Sequence, residues 1–272
     1  MESIKEYAAK RKKDLRNYLL EFNHKYDVAV VLAIIQVGDN PASNAYIKGK
    51  LNDCKEVGIE AKLYKLPEDV KEKKILDLIE KLNKNRRIDG VIVQLPLPKH
   101  ISEMTIKMAI SPEKDVDGFH PLSDFHPCTP KGIVDFLEEQ NFKFEGKHAV
   151  IIGRSNIVGK PMYTELLTRN CTVTQIHSKT SATDFKKLVE SADLIVCATG
   201  HKGLLTKKYN YKKSAIIIDV GINKDENGKL CGDCEKDLDV AFQSPVPGGV
   251  GLLTRLALLE NVVKANVIRH AK

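Results

Sequence analysis

The residues best placed to do chemistry begin at Gly146–Pro161, GKHAVIIGRSNIVGKP. The apolar run Ala149–Ile152 suits a strand buried on both faces. Gly153 then permits a sharp turn and close approach of a ligand to backbone, and Gly159-Lys160-Pro161 opens a helical pattern through Leu166 and Leu167. Strand, glycine turn and helix N-terminus together form an anion site, with free N–H groups and a positive dipole end facing a phosphate. Neither standard nucleotide motif is met. Five residues, not four, separate Gly153 from Gly159, and Ser155 and Val158 stand where the dinucleotide fingerprint has glycines. Phosphate binding and an ordinary strand-to-helix turn both remain open on spacing alone. A second group lies upstream. Ser43, Tyr46 and Lys50 share one helix face at i, i+3 and i+7, distinct from the apolar face of Ile47, Leu51 and Cys54. Gln94 ends an apolar strand, where open parallel sheets bind ligands, and Asp115 and Asp117 stand one residue apart in a polar turn. Taken singly, these are a solvated lysine, a core tyrosine, a strand-end amide and a turn aspartate.

The elements that must position these residues alternate between strand and helix. An amphipathic helix is predicted over 3–22, a buried strand over 28–36, and a helix from Pro41 to Val57, capped by Asp39 or Asn40. A strand at 60–66, a helix at 70–82 and a strand at 88–94 follow, so the first half is a βαβαβ run with a parallel sheet. A short helix near 102–109 and one from Thr129 through Leu137 lead to the second half. There strands fit at 148–152, 172–176, 193–197 and 215–219, helices at 160–169 and 183–190, and a final helix at 252–268. The loop 244–251, SPVPGGVG, is stiffened by proline at one end and opened by glycine at the other. The segment at 171–176 lies where a dinucleotide fold has its second strand. NAD binders usually place a carboxylate after it, whereas this chain has His177-Ser178-Lys179-Thr180, with Arg154 in the first turn. That pattern favours NADP over NAD.

Composition sets the outer bounds. The chain has 272 residues, 42% hydrophobic and 29% charged, which places it among globular proteins with room for one large or two modest domains. The net charge is +7 and the pI about 8.9. The lysines are scattered, without aromatic interleaving, so a solvated surface is favoured over a nucleic-acid face. The first fifteen residues lack a signal peptide's apolar core, and the longest apolar run, 28–35, is too short to span a bilayer, so a cytoplasmic protein is expected. Cys231 and Cys234 form a single CxxC, half of a zinc site, and are read as an incidental surface loop with no metal.

Seven segments occur in one order: VGDNPASNAYIKGK, DGVIVQLPLP, SPEKDVDGFHP, PCTPKGI, GRSNIVGKP, IIDVGIN and PVPGGVG. Together they make the chain resemble the bifunctional methylenetetrahydrofolate dehydrogenase/methenyltetrahydrofolate cyclohydrolases, from about Val37 to Asn261. The resemblance implies two α/β domains with a cleft between them. One is a folate-binding parallel-sheet domain over 1–118, completed by a returning helix at 252–272; the other is a Rossmann-like NADP-binding domain over 119–251. It implies NADP-dependent oxidation of 5,10-methylenetetrahydrofolate to the methenyl cation, then hydrolysis to 10-formyltetrahydrofolate, within one-carbon metabolism and purine biosynthesis. It also implies a homodimer. By motif, Lys50 matches the catalytic lysine, Tyr46 its neighbouring tyrosine, Gln94 the glutamine that bonds the lysine, and Asp117 the aspartate holding the pterin. Ser43, Val93, Leu95 and the loop Pro247-Gly248-Gly249-Val250-Gly251 match further substrate contacts, and Gly153, Arg154, Ser155, Ser178 and Ile222 match cofactor contacts.

The implied chemistry suits these residue types. The folate's bridging carbon lies between two nitrogens that stabilise a cation once hydride leaves, so the first step needs orientation rather than a strong base. The second adds water and moves protons, work for an amine whose pKa is lowered by desolvation or a neighbouring positive charge. Tyr46 offers a flat face to the substrate's aromatic portion, and Asp117 can accept from the pterin's amino and ring N–H groups. Three positions depart from the family pattern. Gly251-Leu252-Leu253-Thr254 stands for Gly-Pro-Met-Thr, which is expected to loosen the start of the last helix; Lys213-Ser214 stands for Pro-Gly, and Cys234 for a small apolar residue. Two other readings remain: a dehydrogenase of this fold with weak or no cyclohydrolase activity, and a non-enzymatic dinucleotide sensor or nucleic-acid binder.

Overall fold

The computed structural model describes residues 1–270. The chain divides into two compact units, each built on a parallel sheet. One comprises Ala9–Cys128 and the described residues from Arg255 on; the other comprises Met1–Ala8 and Thr129–Thr254.

The first unit holds β1 (Val31–Val37), β2 (Glu60–Leu66) and β3 (Gly90–Val93) in the order β2-β1-β3, all parallel. Strand β1 is buried along its whole length, and its side chains alternate between two cores. Leu32 and Ile34 pack with Leu19 of α1 (Ile4–Tyr26), with Ile47, Cys54 and Val57 of α2 (Pro41–Val57), and with Leu258 and Val262 of α8 (Val250–His270). Val31, Ala33, Ile35 and Val37 pack instead with Ile75, Ile79 and Leu82 of α3 (Glu72–Lys84) and Ile106 of α4 (Glu103–Ala109). Helices on both faces explain why β1 reads as apolar from Val31 to Ile35.

The second unit holds β4 (His148–Ile152), β5 (Thr172–Ile176), β6 (Leu194–Cys197), β7 (Ile216–Asp219) and β10 (Phe242–Gln243), parallel in the order β10-β7-β6-β4-β5. This is a Rossmann-like arrangement, with β5 and β6 on opposite sides of β4. Helices α5 (Cys128–Glu139), α6 (Gly159–Leu167) and α7 (Ala182–Ser191) connect it, and a hairpin of β8 (Asn223–Lys224) and β9 (Leu230–Cys231) follows β7. Two N-terminal residues belong here: Tyr7 meets Phe136 edge-on at 5.3 Å between ring centroids, and Ile4 is buried.

Several boundaries depart from the sequence reading. Helix α1 runs on to Tyr26, where Phe22 packs between Tyr18 and Tyr26. The first strand begins at Val31 rather than Val28, and the strand preceding Gln94 spans Gly90–Val93. The last helix starts two residues early, at Val250. It is not loosened there: the Leu252 N–H, which proline would lack, donates to Gly249 O at 2.9 Å. Nor is the CxxC wholly a surface loop, since Cys234 is buried among Cys197, Leu205 and Ile217 while Cys231 keeps partial exposure.

Helix α2 carries the Ser43-Tyr46-Lys50 face, and its start is fixed by Asn40. The Asn40 Oδ1 accepts from Ala42 N–H at 2.9 Å and Ser43 N–H at 3.2 Å, with Pro41 in the first turn. Asn40→Ala is expected to lower unfolding free energy by about 1 kcal/mol, read from the urea midpoint.

Candidate active site

Within the first unit, α2 brings Lys50 inward: the residue is only 6% exposed, and its Nζ lies 5.3 Å from the centre of the Tyr46 ring. Ser43 is buried two turns before Lys50, its hydroxyl 3.5 Å from Leu95 O at the end of β3. The same carbonyl accepts from Gln94 Nε2 at 2.7 Å, while Gln94 Oε1 is buried without a hydrogen-bond partner among the described residues. Through Leu95 O the end of β3 thus meets the α2 face that carries Ser43, Tyr46 and Lys50. The spacing predicted that Ser43, Tyr46 and Lys50 share a face; it did not show that this face is covered.

Asp117 joins the group from the segment after α4. Burial of its carboxyl pushes its pKa above the ordinary carboxylate value, and the charges of Lys50 and Lys107 pull it back. Lys107 of α4 caps the Phe119 ring at 4.8 Å and pairs with Glu103 at 3.3 Å. A small cavity is lined by Val93, Leu95, Lys107, Asp115, Asp117 and Phe119. The backbone around Asp117 is held from three sides. Lys114 is buried, and its Nζ donates to Leu82 O at 2.9 Å, Asn83 O at 2.6 Å and Asn85 O at 2.8 Å, closing the C-terminus of α3. Asn261 of α8 donates to Val116 O at 2.9 Å and His126 O at 3.2 Å, and Cys128 N–H reaches Asp117 O at 3.3 Å. Lys107, Lys114 and Asn261 escaped the sequence reading. A buried lysine and asparagine carry no local signal, because their partners lie far along the chain.

The C-terminal half of α2 is held by charge. Asp53, buried, accepts from Arg255 Nε at 2.6 Å and from Lys12 at 3.2 Å. The Arg255 guanidinium lies close to Gly49, where an added Cβ would come within 2.8 Å of its Nη1.

In the second unit, Gly153 adopts φ 117°, and a Cβ there would fall on Ala198 O. The N–H groups expected to be free at the start of α6 are taken. Ser155 Oγ accepts from Val158 N–H at 3.1 Å and Gly159 N–H at 3.3 Å, and Ser155 O accepts from Lys160 N–H at 3.0 Å. Serine's oxygen here does what a bound anion would do, so an incoming phosphate would have to displace it or use the dipole and side chains around it. Arg154 and Ser155 are exposed beside this turn, and Ser178 and Lys179 are exposed after β5 with no carboxylate next to them. Ile222 stands out from the loop after β7, 68% exposed. Pro247 and Gly248 are exposed, whereas Gly249 and Val250 are buried as α8 begins. Ser43, Tyr46, Lys50, Val93, Gln94, Leu95 and Asp117 thus lie in one unit, and Gly153, Arg154, Ser155, Ser178, Ile222 and the 247–251 loop in the other. The glycine turn and the run His177-Ser178-Lys179-Thr180, which carries a lysine and no acidic residue, fit a dinucleotide with an extra phosphate.

The sequence profile of the tetrahydrofolate dehydrogenase/cyclohydrolase catalytic domain matches residues 3–117, and that of the NAD(P)-binding domain of the same enzymes matches residues 127–270. The chain belongs to this family. A bifunctional protein FolD of Bacillus cereus is 46% identical over 96% of this chain and 94% of its own length. The crystal structure of the bifunctional FolD enzyme of Campylobacter jejuni is similar with a TM-score of 0.94 at 41% identity, covering 98% of each chain. That of the Trypanosoma brucei FolD enzyme, complexed with NADP cofactor and inhibitor, has a TM-score of 0.95 at 28% identity, over 100% of this chain and 98% of its own. The family membership bears out the resemblance drawn from the seven segments. Among the described residues no cluster of His, Cys, Asp or Glu could hold a metal, and no helix is long and apolar enough to cross a membrane.

Asp115 supplies a pH test of this site. It is 2% exposed, and burial pushes its carboxyl up to about 6, aided by the charge of Asp117 and opposed by the His120 N–H bond of 2.7 Å. The folded chain therefore holds this proton more tightly than the unfolded one. Its contribution is fully present below about pH 4 and is lost as pH rises through about 6. Asp115→Asn keeps an oxygen for His120 N–H and removes the titration. Relative to the parent, the variant is expected to gain up to about 3 kcal/mol between pH 4 and pH 7.5, measured by urea unfolding across that range.

Proposed function

We propose that this chain oxidises 5,10-methylenetetrahydrofolate to the 5,10-methenyl cation with NADP, and hydrolyses that cation to 10-formyltetrahydrofolate. The observation that carries the reading is the buried Lys50 against Tyr46, in the unit where Gln94 Oε1 lacks a partner among the described residues and Asp117 feels the Lys50 charge. The unit containing Ala9–Cys128 takes the folate and the unit containing Thr129–Thr254 takes the nucleotide.

In the first step a hydride and its electron pair leave the bridging carbon, and no proton is moved. NADP, when bound, supplies the acceptor. The protein's part is to hold the reacting atoms face to face. Tyr46 stacks against the flat portion of the folate, and Asp117 accepts hydrogen bonds from the pterin edge. Ser43, Val93, Leu95 and Pro247–Gly251 complete the folate contacts. In the second step water adds to the cation and gives up both its protons, one released to solvent and one passed to a ring nitrogen as the bond from the carbon to that nitrogen breaks. Lys50 is the group that moves the proton, and Gln94 orients the amine or the water. Gly153, Arg154, Ser155, Ser178 and Ile222 hold the nucleotide, with Arg154 and Ser178 on the additional phosphate. The protein acts in the cytoplasm as a homodimer, without nucleic-acid partners.

Mixing the protein with methylenetetrahydrofolate and NADP tests both activities. Methenyl absorbance is expected to rise only transiently; absorbance that builds and persists would identify a dehydrogenase lacking the hydrolytic step. Lys50→Met is expected to lower methenyl hydrolysis by at least 100-fold with NADP affinity retained, an order of magnitude typical of acid–base groups. Loss of NADP binding instead would place the lysine wrongly. Arg154→Ala is expected to lower the preference for NADP over NAD by about tenfold, compared as kcat/KM for each; an unchanged ratio would remove Arg154 from the phosphate site.

A further inference from the structure

A carboxylate outside every site residue named above ties together the two loops that follow the central strands of the nucleotide unit. Asp233 has no exposed surface. Its Oδ2 accepts from Thr199 N–H at 2.7 Å, Thr199 Oγ1 at 2.8 Å and Gly200 N–H at 3.1 Å, all in the loop after β6. Its Oδ1 accepts from Asn223 Nδ2 at 2.9 Å, where the loop after β7 enters β8. Cys197 Sγ lies 3.6 Å from Oδ2. A second buried carboxylate backs the first. Asp219 Oδ1 accepts from Asp233 N–H at 3.0 Å and Gly221 N–H at 2.9 Å, and its Oδ2 accepts from Cys234 N–H at 2.9 Å. No side chain fits between the strands of this clasp: a Cβ at Gly221 would fall on the Asp233 carboxyl, and one at Gly232 on that of Asp219.

Both loops leave the carboxyl ends of adjacent parallel strands, β6 and β7, the edge at which open parallel sheets bind ligands. The Thr199 loop also touches the phosphate turn, because Ala198 O occupies the space a Cβ on Gly153 would need. The second loop carries Ile222, whose apolar side chain is held out into solvent. Thr199 and Gly200 lie outside any regular element and Asn223 opens a two-residue strand, so the placement of both loops leans on side-chain acceptors.

We propose that Asp233 is a positioning residue for the nicotinamide nucleotide, fixing Thr199–Gly200 against the Gly153 turn and presenting Ile222 at the same edge. The inference rests on the assignment of NADP to this unit. Asp233 touches no ligand; it acts through the backbone it holds. Removing its carboxyl leaves the Thr199 and Gly200 N–H groups without their acceptor, and the loops relax away from the geometry the nucleotide requires.

The experiment measures NADP binding calorimetrically for the parent chain, Asp233→Ala and Asp233→Asn, with steady-state kinetics alongside. Asp233→Ala is expected to raise the Kd for NADP about tenfold or more, and to raise KM for NADP far more than it lowers kcat at saturating nucleotide. Asp233→Asn keeps one oxygen for Thr199 and Gly200, and Asn223 can turn its amide to meet the new donor. Its Kd is expected to stay within about threefold of the parent. An alanine variant with parental affinity overturns the proposal, as does an asparagine variant as weak as the alanine one. So does an equal fall in methenyl hydrolysis, which uses no nucleotide and would report general damage. Should Asp233→Ala not fold, Thr199→Val deletes one donor; a Kd raised about threefold supports the proposal and an unchanged one overturns it. A parent chain that fails to bind NADP at all would instead refute the nucleotide assignment.

Discussion

Lys50 has only 6% of its surface left to water, and much of the first unit is arranged to keep it there. An uncompensated buried amine costs several kcal/mol, so its surroundings must supply aromatic, carboxylate or ligand contacts. Tyr46 supplies a ring face from the same helix, and Asp117 a carboxyl whose own burial is eased by the lysine. Helix α2 cannot drift. Its first turn is tied to Asn40 and its last turns to Asp53, which Lys12 and Arg255 grip from two other helices. The candidate site is therefore less a set of residues on a surface than the inner side of one anchored helix.

The backbone around Asp117 shows the same economy. An irregular segment inside a domain must find partners for its peptide groups. Here the C-terminal carbonyls of α3 receive Lys114, Val116 O receives Asn261, and Asp115 O receives the Ser123 hydroxyl at 3.0 Å. The nucleotide unit solves a parallel problem with carboxylates: Asp219 and Asp233 accept where the loops after β6 and β7 have N–H groups to place. In one unit side-chain donors order a loop rich in carbonyls; in the other side-chain acceptors order loops rich in N–H groups.

Much of the fold was legible because it obeys local rules. Apolar runs such as Ala149–Ile152 became central strands, and the side chains of Asn40, Ser102 and Ser181 cap the helices that follow them. The i, i+3, i+7 spacing correctly put Ser43, Tyr46 and Lys50 on one face. What it lacked was depth: a lysine at a polar helix position reads as solvated until another element covers it. Asn261 meets Val116 across 145 positions and Asp233 meets Thr199 across 34, and no periodicity encodes such pairs. The start of α6 misled for the opposite reason. Dipole and glycine spacing pointed to open donors, but Ser155 is near enough in sequence to fold back and occupy them. Strands of two residues, like Phe242–Gln243, exist only because a neighbouring strand pairs with them.

Gly49 sits in mid-helix, immediately before Lys50, where alanine would ordinarily favour helix formation by about 1 kcal/mol. It is kept bare by the Arg255 guanidinium close to it. A thermostabilisation programme that scored helices by propensity would choose this position early. The added Cβ would press on Nη1 of the arginine whose Nε holds Asp53 at 2.6 Å, so the guanidinium would have to shift. Rigidity here has been placed in the ion pairs rather than in the backbone, so heat tolerance should be sought elsewhere in the chain.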